Sequence, residues 1–152
     1  MTRSLFASLL LAVALLAPRR AVAASCVFNS ISPVAFGTYD VFSATPVDAV
    51  GSFTYQCSLL QLLDAITINL STGNSGNYTA RTMLNGSNSL SYNLYMDAAR
   101  TVIWGDKSNG TSNYTAILAV LPITLSIYGR IPARQNAMAG SYTDTIVVTM
   151  LF

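Results

Sequence analysis

The sequence contains no histidine and no glutamate, and charged residues make up only 9% of its 152 positions. The missing histidine excludes Ser/His/Asp and Cys/His catalytic sets and His-ligated metal sites. A single lysine, Lys107, argues against nucleic-acid binding, which needs clustered basic side chains. The six aspartates are scattered, with neither calcium-loop spacing nor the paired carboxylates of a glycosidase. The sequence therefore predicts a non-catalytic protein without metal or cofactor.

The N-terminal segment has the pattern of a secretory signal peptide, which we place at residues 1–23. Arg3 supplies a positive charge, residues 5–17 form an apolar run, and Ala21-Val22-Ala23 offers small residues for cleavage. The apolar run is shorter than the about 20 residues that a membrane-spanning helix needs. We therefore expect an exported protein with no integral membrane segment after cleavage.

Both cysteines, Cys26 and Cys57, follow the predicted signal peptide. In an oxidising compartment an even pair of cysteines indicates a disulfide bond. A redox role is disfavoured because neither thiol belongs to a CxxC motif or has a basic neighbour that would activate it.

Apolar and polar residues alternate along most of the chain, as in β-strands with one buried face. The alternation is clear over residues 51–57, 65–71, 90–97 and 123–131. Runs rich in Gly, Asn and Ser separate these segments, at 71–77, 85–88 and 107–111, and predict turns. We expect one antiparallel, all-β sandwich or barrel over residues 24–152.

The C-terminal strand differs, because residues 145–152 are apolar on both faces. Burial on both sides is typical of a central strand, and a central strand needs a neighbour on each edge. Two explanations stay open. An earlier segment of the chain flanks this strand, or a strand from another molecule completes the sheet.

A set of short motifs, in the same order, resembles the spore coat protein U domain family. They are Phe36-Gly37-Thr38-Tyr39, Cys57, Leu70-Ser71-Thr72-Gly73, Arg81-Thr82-Met83, Leu90-Ser91-Tyr92-Asn93-Leu94-Tyr95, Trp104-Gly105-Asp106, Tyr128-Gly129-Arg130-Ile131-Pro132 and Gly140-Ser141-Tyr142-Thr143-Asp144-Thr145. The resemblance implies a secreted bacterial surface protein, such as a subunit of an archaic chaperone–usher pilus. The implied fold is an immunoglobulin-like sandwich without its final strand.

The same resemblance implies the partners. A periplasmic chaperone first fills the gap in the sandwich, and the N-terminal extension of a neighbouring pilus subunit then replaces it as an outer-membrane usher assembles the fibre. The final strand would line this groove through Ile146, Val148, Met150 and Phe152.

The sequence departs from the pilin pattern before its first cysteine. Only Ala24 and Ser25 precede Cys26 after the predicted cleavage site, whereas a donor strand spanning a groove of about 30 Å needs roughly nine or ten residues. We therefore expect a subunit that accepts a strand without donating one, which is the position of a tip protein. Tip adhesins of the family usually have two domains, and this sequence has one.

Two apolar segments stand where turns would normally be polar, and both are candidate adhesive loops. Their apolar residues are Leu59, Leu60, Leu62, Leu63, Ile117, Leu118, Val120 and Leu121. Exposed together at one pole, they would form a surface that binds a hydrophobic partner. The alternative is that they enter the core.

Trp104-Gly105-Asp106 is interpreted as a structural turn, with an aromatic ligand platform as the alternative. For Arg81, Arg130 and Arg134, the candidate ion-pair partners are Asp106 and Asp144.

Two functional classes follow from the sequence. The first is a non-catalytic fimbrial subunit completed by donor-strand exchange and placed at the end of a fibre. The second is a secreted spore-coat or matrix protein that folds without a partner.

Replacing Leu60 and Leu63 by Ser tests the adhesive loops. We expect adhesion to a hydrophobic surface to fall while the melting temperature stays unchanged, because exposed leucines contribute little to folding. A fall in melting temperature would instead place these leucines in the core.

Overall fold

The computed structural model describes residues 25–58, 65–117 and 121–152. The predicted signal peptide, 1–23, and the predicted loop residues Leu59, Leu60, Leu62, Leu63, Leu118 and Val120 lie outside the described residues. The strands are β1 Ser25–Ser32, β2 Val47–Ser58, β3 Ala65–Leu70, β4 Arg81–Asn85, β5 Asn88–Tyr95, β6 Tyr114–Ile117, β7 Ile123–Ile131 and β8 Val148–Leu151. The described helical structure is one 3-10 turn, Gly73–Ser75, so none of it has the length to cross a membrane.

The strands form two antiparallel sheets. One has the order β1-β2-β7-β5-β4 and the other the order β6-β3-β8. The expected all-β, immunoglobulin-like sandwich is confirmed. The strands β2 and β7 contain the segments whose alternation predicted them, and β3 and β5 end one and two residues before theirs do.

The core lies between the sheets and follows from the alternation of side chains along each strand. On β2, Phe53, Tyr55 and Cys57 are almost completely buried. The ring of Phe53 lies 5.8 Å from that of Trp104, and the Trp104 indole N–H donates to the carbonyl of Ile68 on β3. These contacts join the two sheets.

The predicted disulfide bond between Cys26 and Cys57 is confirmed. The two residues face each other in the β1–β2 ladder, with their Cα atoms 4.0 Å apart. The bond therefore links β1, an edge strand of the larger sheet, to its neighbour β2.

The expectation that the final strand is buried on both faces is wrong for the chain by itself. Within the described residues β8 pairs only with β3, so it is an edge strand. Val147 is 58% exposed, and Leu151 and Phe152 are each 54% exposed. No earlier segment of the described chain flanks the second edge of β8, and its outer apolar face is exposed as well.

The sandwich has two ends, the terminal pole and the far pole. At the terminal pole, Ser25 lies opposite Ser58 and Ala65 opposite Ile117, close to the C-terminal Phe152. At the far pole lie the long connections 33–46 and 132–147, which meet where Val47 pairs with Ile131.

After β1 the chain crosses the inner face of the larger sheet, and two glycines allow it to approach closely. A Cβ atom at Gly129 would lie 2.6 Å from side-chain atoms of both Val34 and Phe36. A Cβ atom at Gly51 would lie 2.7 Å from the carbonyl of Ser32. Real Cβ contacts are not this short, so segment 32–36 packs into space that the missing side chains leave.

Gly129→Ala should lower the free energy of unfolding by about 1–3 kcal/mol, because the added methyl group overpacks against Val34 and Phe36. Urea unfolding measures the change. Ser126→Ala on the exposed face of the same strand is the control and should be neutral. Equal stability of the two variants would show that segment 32–36 does not pack on Gly129.

Candidate functional site

An open cleft runs between two stretches of the chain, residues 31–41 on one side and residues 137–148 on the other. It has two parts, a cavity of about 300 Å³ and, towards the far pole, one of about 780 Å³. Both parts are lined by Val34, Phe36, Met83 and Tyr142, so they adjoin each other. The cleft exposes hydrophobic residues that a closed sandwich would cover.

The cleft lies beside the free edges of two strands. In the described chain β1 pairs only with β2 and β8 only with β3. The amide of Ser71 donates to the carbonyl of Val147 at 2.9 Å, so these two residues form a hydrogen-bonded pair. Along the antiparallel β3–β8 ladder, hydrogen-bonded and non-hydrogen-bonded pairs alternate from there. By that alternation, Val148 and Met150 direct their backbone N–H and C=O groups away from β3. These groups are available to another strand.

The four residues predicted to line a groove occupy different positions. Ile146 and Val148 line the cleft, and Met150 packs half-buried against the core. Phe152 is 54% exposed at the chain end. On the opposite side of the cleft Ile31, which the sequence analysis did not select, is 64% exposed.

A buried arginine holds the C-terminal side of the cleft in place. Arg81 on β4 has 0% exposure. Its guanidinium donates to the carbonyls of Ser71 and Trp104 and to the side-chain oxygen of Asn93, at 2.7–3.0 Å. Ser71 in turn bonds Val147 through its amide and accepts the Val147 amide at its Oγ. The buried charge is thus linked to the residue before β8.

Asp144 makes a second attachment of the same segment. Its Oδ1 accepts the amides of Asn74 and Thr145, and its Oδ2 accepts the Tyr92 hydroxyl at 2.7 Å. The carboxylate therefore connects the segment before β8 both to the 3-10 turn and to β5.

Burial is the largest influence on the pKa values of Arg81 and Tyr92. It lowers the pKa of Arg81, an effect that the nearby Tyr92, Tyr78 and Asp144 oppose. Burial also raises the pKa of Tyr92, and its hydrogen bond to Asp144 raises it further. The Tyr92 hydroxyl consequently stays protonated and acts as a donor, so the cluster is a structural network.

The ion pairs expected for the arginines are not those in the structure. Arg130 binds the carboxylate of Asp48 through two hydrogen bonds of 2.7 and 2.8 Å, and Arg100 lies 3.2 Å from the same group. Arg81 uses carbonyl and amide oxygens instead of Asp106 or Asp144. The cue in the sequence was the alternation of Arg81 with Met83, which places both side chains on the buried face of β4.

The Trp104-Gly105-Asp106 segment leads into the loop before β6. The Trp104 ring is 2% exposed and therefore presents no open face for a ligand. Asp106 accepts the Ser108 amide at 2.9 Å. A Cβ atom at Gly105 would lie 2.4 Å from the hydroxyl of Thr111, across the same loop.

Of the residues predicted for the two adhesive loops, the structure describes only Ile117 and Leu121 of the second loop, and both are exposed. Ile117 is 70% and Leu121 is 73% exposed, and both lie at the terminal pole with Leu151 and Phe152. The structure thus brings apolar residues of one loop together with the apolar chain end, and it describes no side chain of the leucine segment 59–63.

Comparisons with known proteins agree with this fold. A sequence model of the Spore Coat Protein U domain matches residues 12–149. The chain is 37% identical to Protein U of Myxococcus xanthus, over 77% of this chain and 70% of the relative. A solved structure with similarity is a chaperone–tip adhesion subunit pre-assembly complex from the archaic chaperone–usher Csu pili of Acinetobacter baumannii. The TM-score is 0.59 at 24% identity, over 86% of this chain and 40% of that chain, so this likeness concerns the fold.

Arg81→Met should lower the free energy of unfolding by about 3–5 kcal/mol, because it leaves buried carbonyl and amide oxygens without a donor. Arg81→Lys should also destabilise, since one ammonium group cannot replace the planar guanidinium at three acceptors. Chemical denaturation gives both values, with Arg134→Met at an exposed site as the control. An Arg81→Met variant as stable as this control would contradict the role given to the network.

Proposed function

The chain belongs to the spore coat protein U domain family, and we propose that it is a non-catalytic subunit of a chaperone–usher fimbria, completed by a strand from another protein. The observation that supports the proposal most strongly is the open cleft between residues 31–41 and 137–148. It combines exposed apolar residues with the unpaired edges of β1 and β8.

An extended strand fits this combination better than a small ligand does. Its backbone pairs with the groups that Val148 and Met150 direct away from β3. Every second side chain of the strand then enters the cleft, where Val34, Phe36 and Met83 provide apolar contacts. Filling the cleft converts β8 from an edge strand into an inner strand, which covers its core-facing residues Val148 and Met150.

The partners follow from this function. A periplasmic chaperone supplies the first strand, an outer-membrane usher directs assembly, and the N-terminal extension of a neighbouring subunit supplies the final strand. The route requires export through the periplasm to the cell surface, with residues 1–23 as the signal peptide and residues 24–152 as the domain. The Cys26–Cys57 disulfide suits this oxidising route.

We place the subunit at the tip of the fibre because apolar residues are exposed at its terminal pole. A subunit at the tip leaves this pole free to contact a surface, and Ile117, Leu121, Leu151 and Phe152 are exposed there. An apolar surface at the end of a fibre is suited to hydrophobic adhesion.

A second function has its own support. The name of the family and the 37% identity to Protein U favour a secreted coat or matrix protein. Such a protein must be stable with its cleft open, or close the cleft by packing on the coat.

Export of the chain with and without a co-expressed periplasmic chaperone of the archaic chaperone–usher class separates the two functions. For a fimbrial subunit we expect low recovery alone, because the open cleft and free edges aggregate, and a stoichiometric complex with the chaperone. Size-exclusion chromatography of periplasmic extracts gives both results. A monodisperse, stable chain that ignores the chaperone would support the coat protein instead.

A further inference from the structure

Phe42 is 90% exposed in the turn after the cleft segment at the far pole. Its amide donates to Asp40 Oδ1 at 2.9 Å, and the Ser43 amide donates to the Asp40 carbonyl at 3.1 Å. The Ser43 hydroxyl also accepts the Thr45 amide. These bonds fix the turn, so the aromatic ring is presented on an ordered backbone rather than on a loose loop.

The turn is continuous with the cleft. Val41, the residue before Phe42, lines the larger cavity together with Met138 from the opposite side. Met138 is 66% exposed. The mouth of the cleft at the far pole therefore has an apolar residue on each side, and Phe42 follows Val41 next to it.

The direction of β8 determines which part of a strand donor reaches this mouth. β8 runs from Val148, opposite Leu70, to Leu151, opposite Thr67, and so from the far pole towards the terminal pole. A strand inserted antiparallel to β8 runs the other way and leaves the cleft at the far pole. When that strand is an N-terminal extension, the folded body of the donor follows it and lies next to Phe42.

We propose that Phe42 is a docking residue for the folded body of the neighbouring subunit, separate from the cleft that binds its extension. The proposal rests on the proposed fimbrial function and adds a second contact to it. Exposed aromatic side chains on rigid backbone are favourable anchors, because they bury a large area at little cost in conformational entropy.

The test compares two probes: a pilus subunit from the chaperone–usher system of the same organism, and a synthetic peptide with only that subunit's N-terminal extension. Both are titrated against the native chain released from its chaperone complex, against Phe42→Ser, and against Val50→Ser. Val50 is a matched control, because it is apolar and 55% exposed on β2 but does not line the cleft.

We expect Phe42→Ser to weaken binding of the whole subunit by about tenfold or more while the peptide binds all three proteins equally. Equal binding of the whole subunit to all three proteins, with the peptide still bound, would overturn the Phe42 proposal and leave the fimbrial function intact. Weaker peptide binding by Phe42→Ser would also overturn it, because the residue would then act on the cleft. If neither probe binds the native chain, the fimbrial function fails together with this inference.

Discussion

Backbone hydrogen bonding at the edges of the two sheets is the constraint on which the rest of this structure depends. Each inner strand satisfies its N–H and C=O groups with two neighbours, whereas β1, β4, β6 and β8 each have one strand neighbour in the described chain. Of these four edge strands, β1 and β8 line opposite sides of the cleft, through Ile31 and Val148. Between β1 and β8 the hydrophobic interior is open, and Ile31 is exposed beside it. Unpaired backbone and uncovered apolar surface occur together, and one inserted strand satisfies both.

Contacts on both sides of the cleft hold its walls in place. On one side, the disulfide attaches β1 to β2, and segment 32–36 lies against Gly51 and Gly129. On the other side, Arg81 holds Ser71, which bonds Val147, and Asp144 bonds Asn74 and Tyr92. Burying a guanidinium has a high desolvation cost, which its bonds to three acceptors offset. The result is an open cleft with both sides held in place, which the proposed strand insertion requires.

The fold could be predicted from alternation because the strands β2, β3, β5 and β7 have one face on the core. The same reasoning failed for β8, where two apolar faces indicated burial that the chain does not itself supply. The burial of Arg81 and its carbonyl and amide acceptors were not predicted, because an isolated arginine is usually on the surface and these acceptors come from segments distant in sequence. The shape of the cleft could not be predicted, since it depends on how two irregular segments, 33–46 and 132–147, pack against the sheets.

The most direct test of the central claim is amide-resolved hydrogen exchange of β8, measured on the dilute refolded chain and on its chaperone complex. In the chain alone, the amides of Val148 and Met150 should exchange rapidly, while that of Thr149, which pairs with Asn69, is protected. In the complex, Val148 and Met150 should become protected too. Protection of both residues in the isolated chain would contradict the account, because it would mean that the chain already supplies the missing strand.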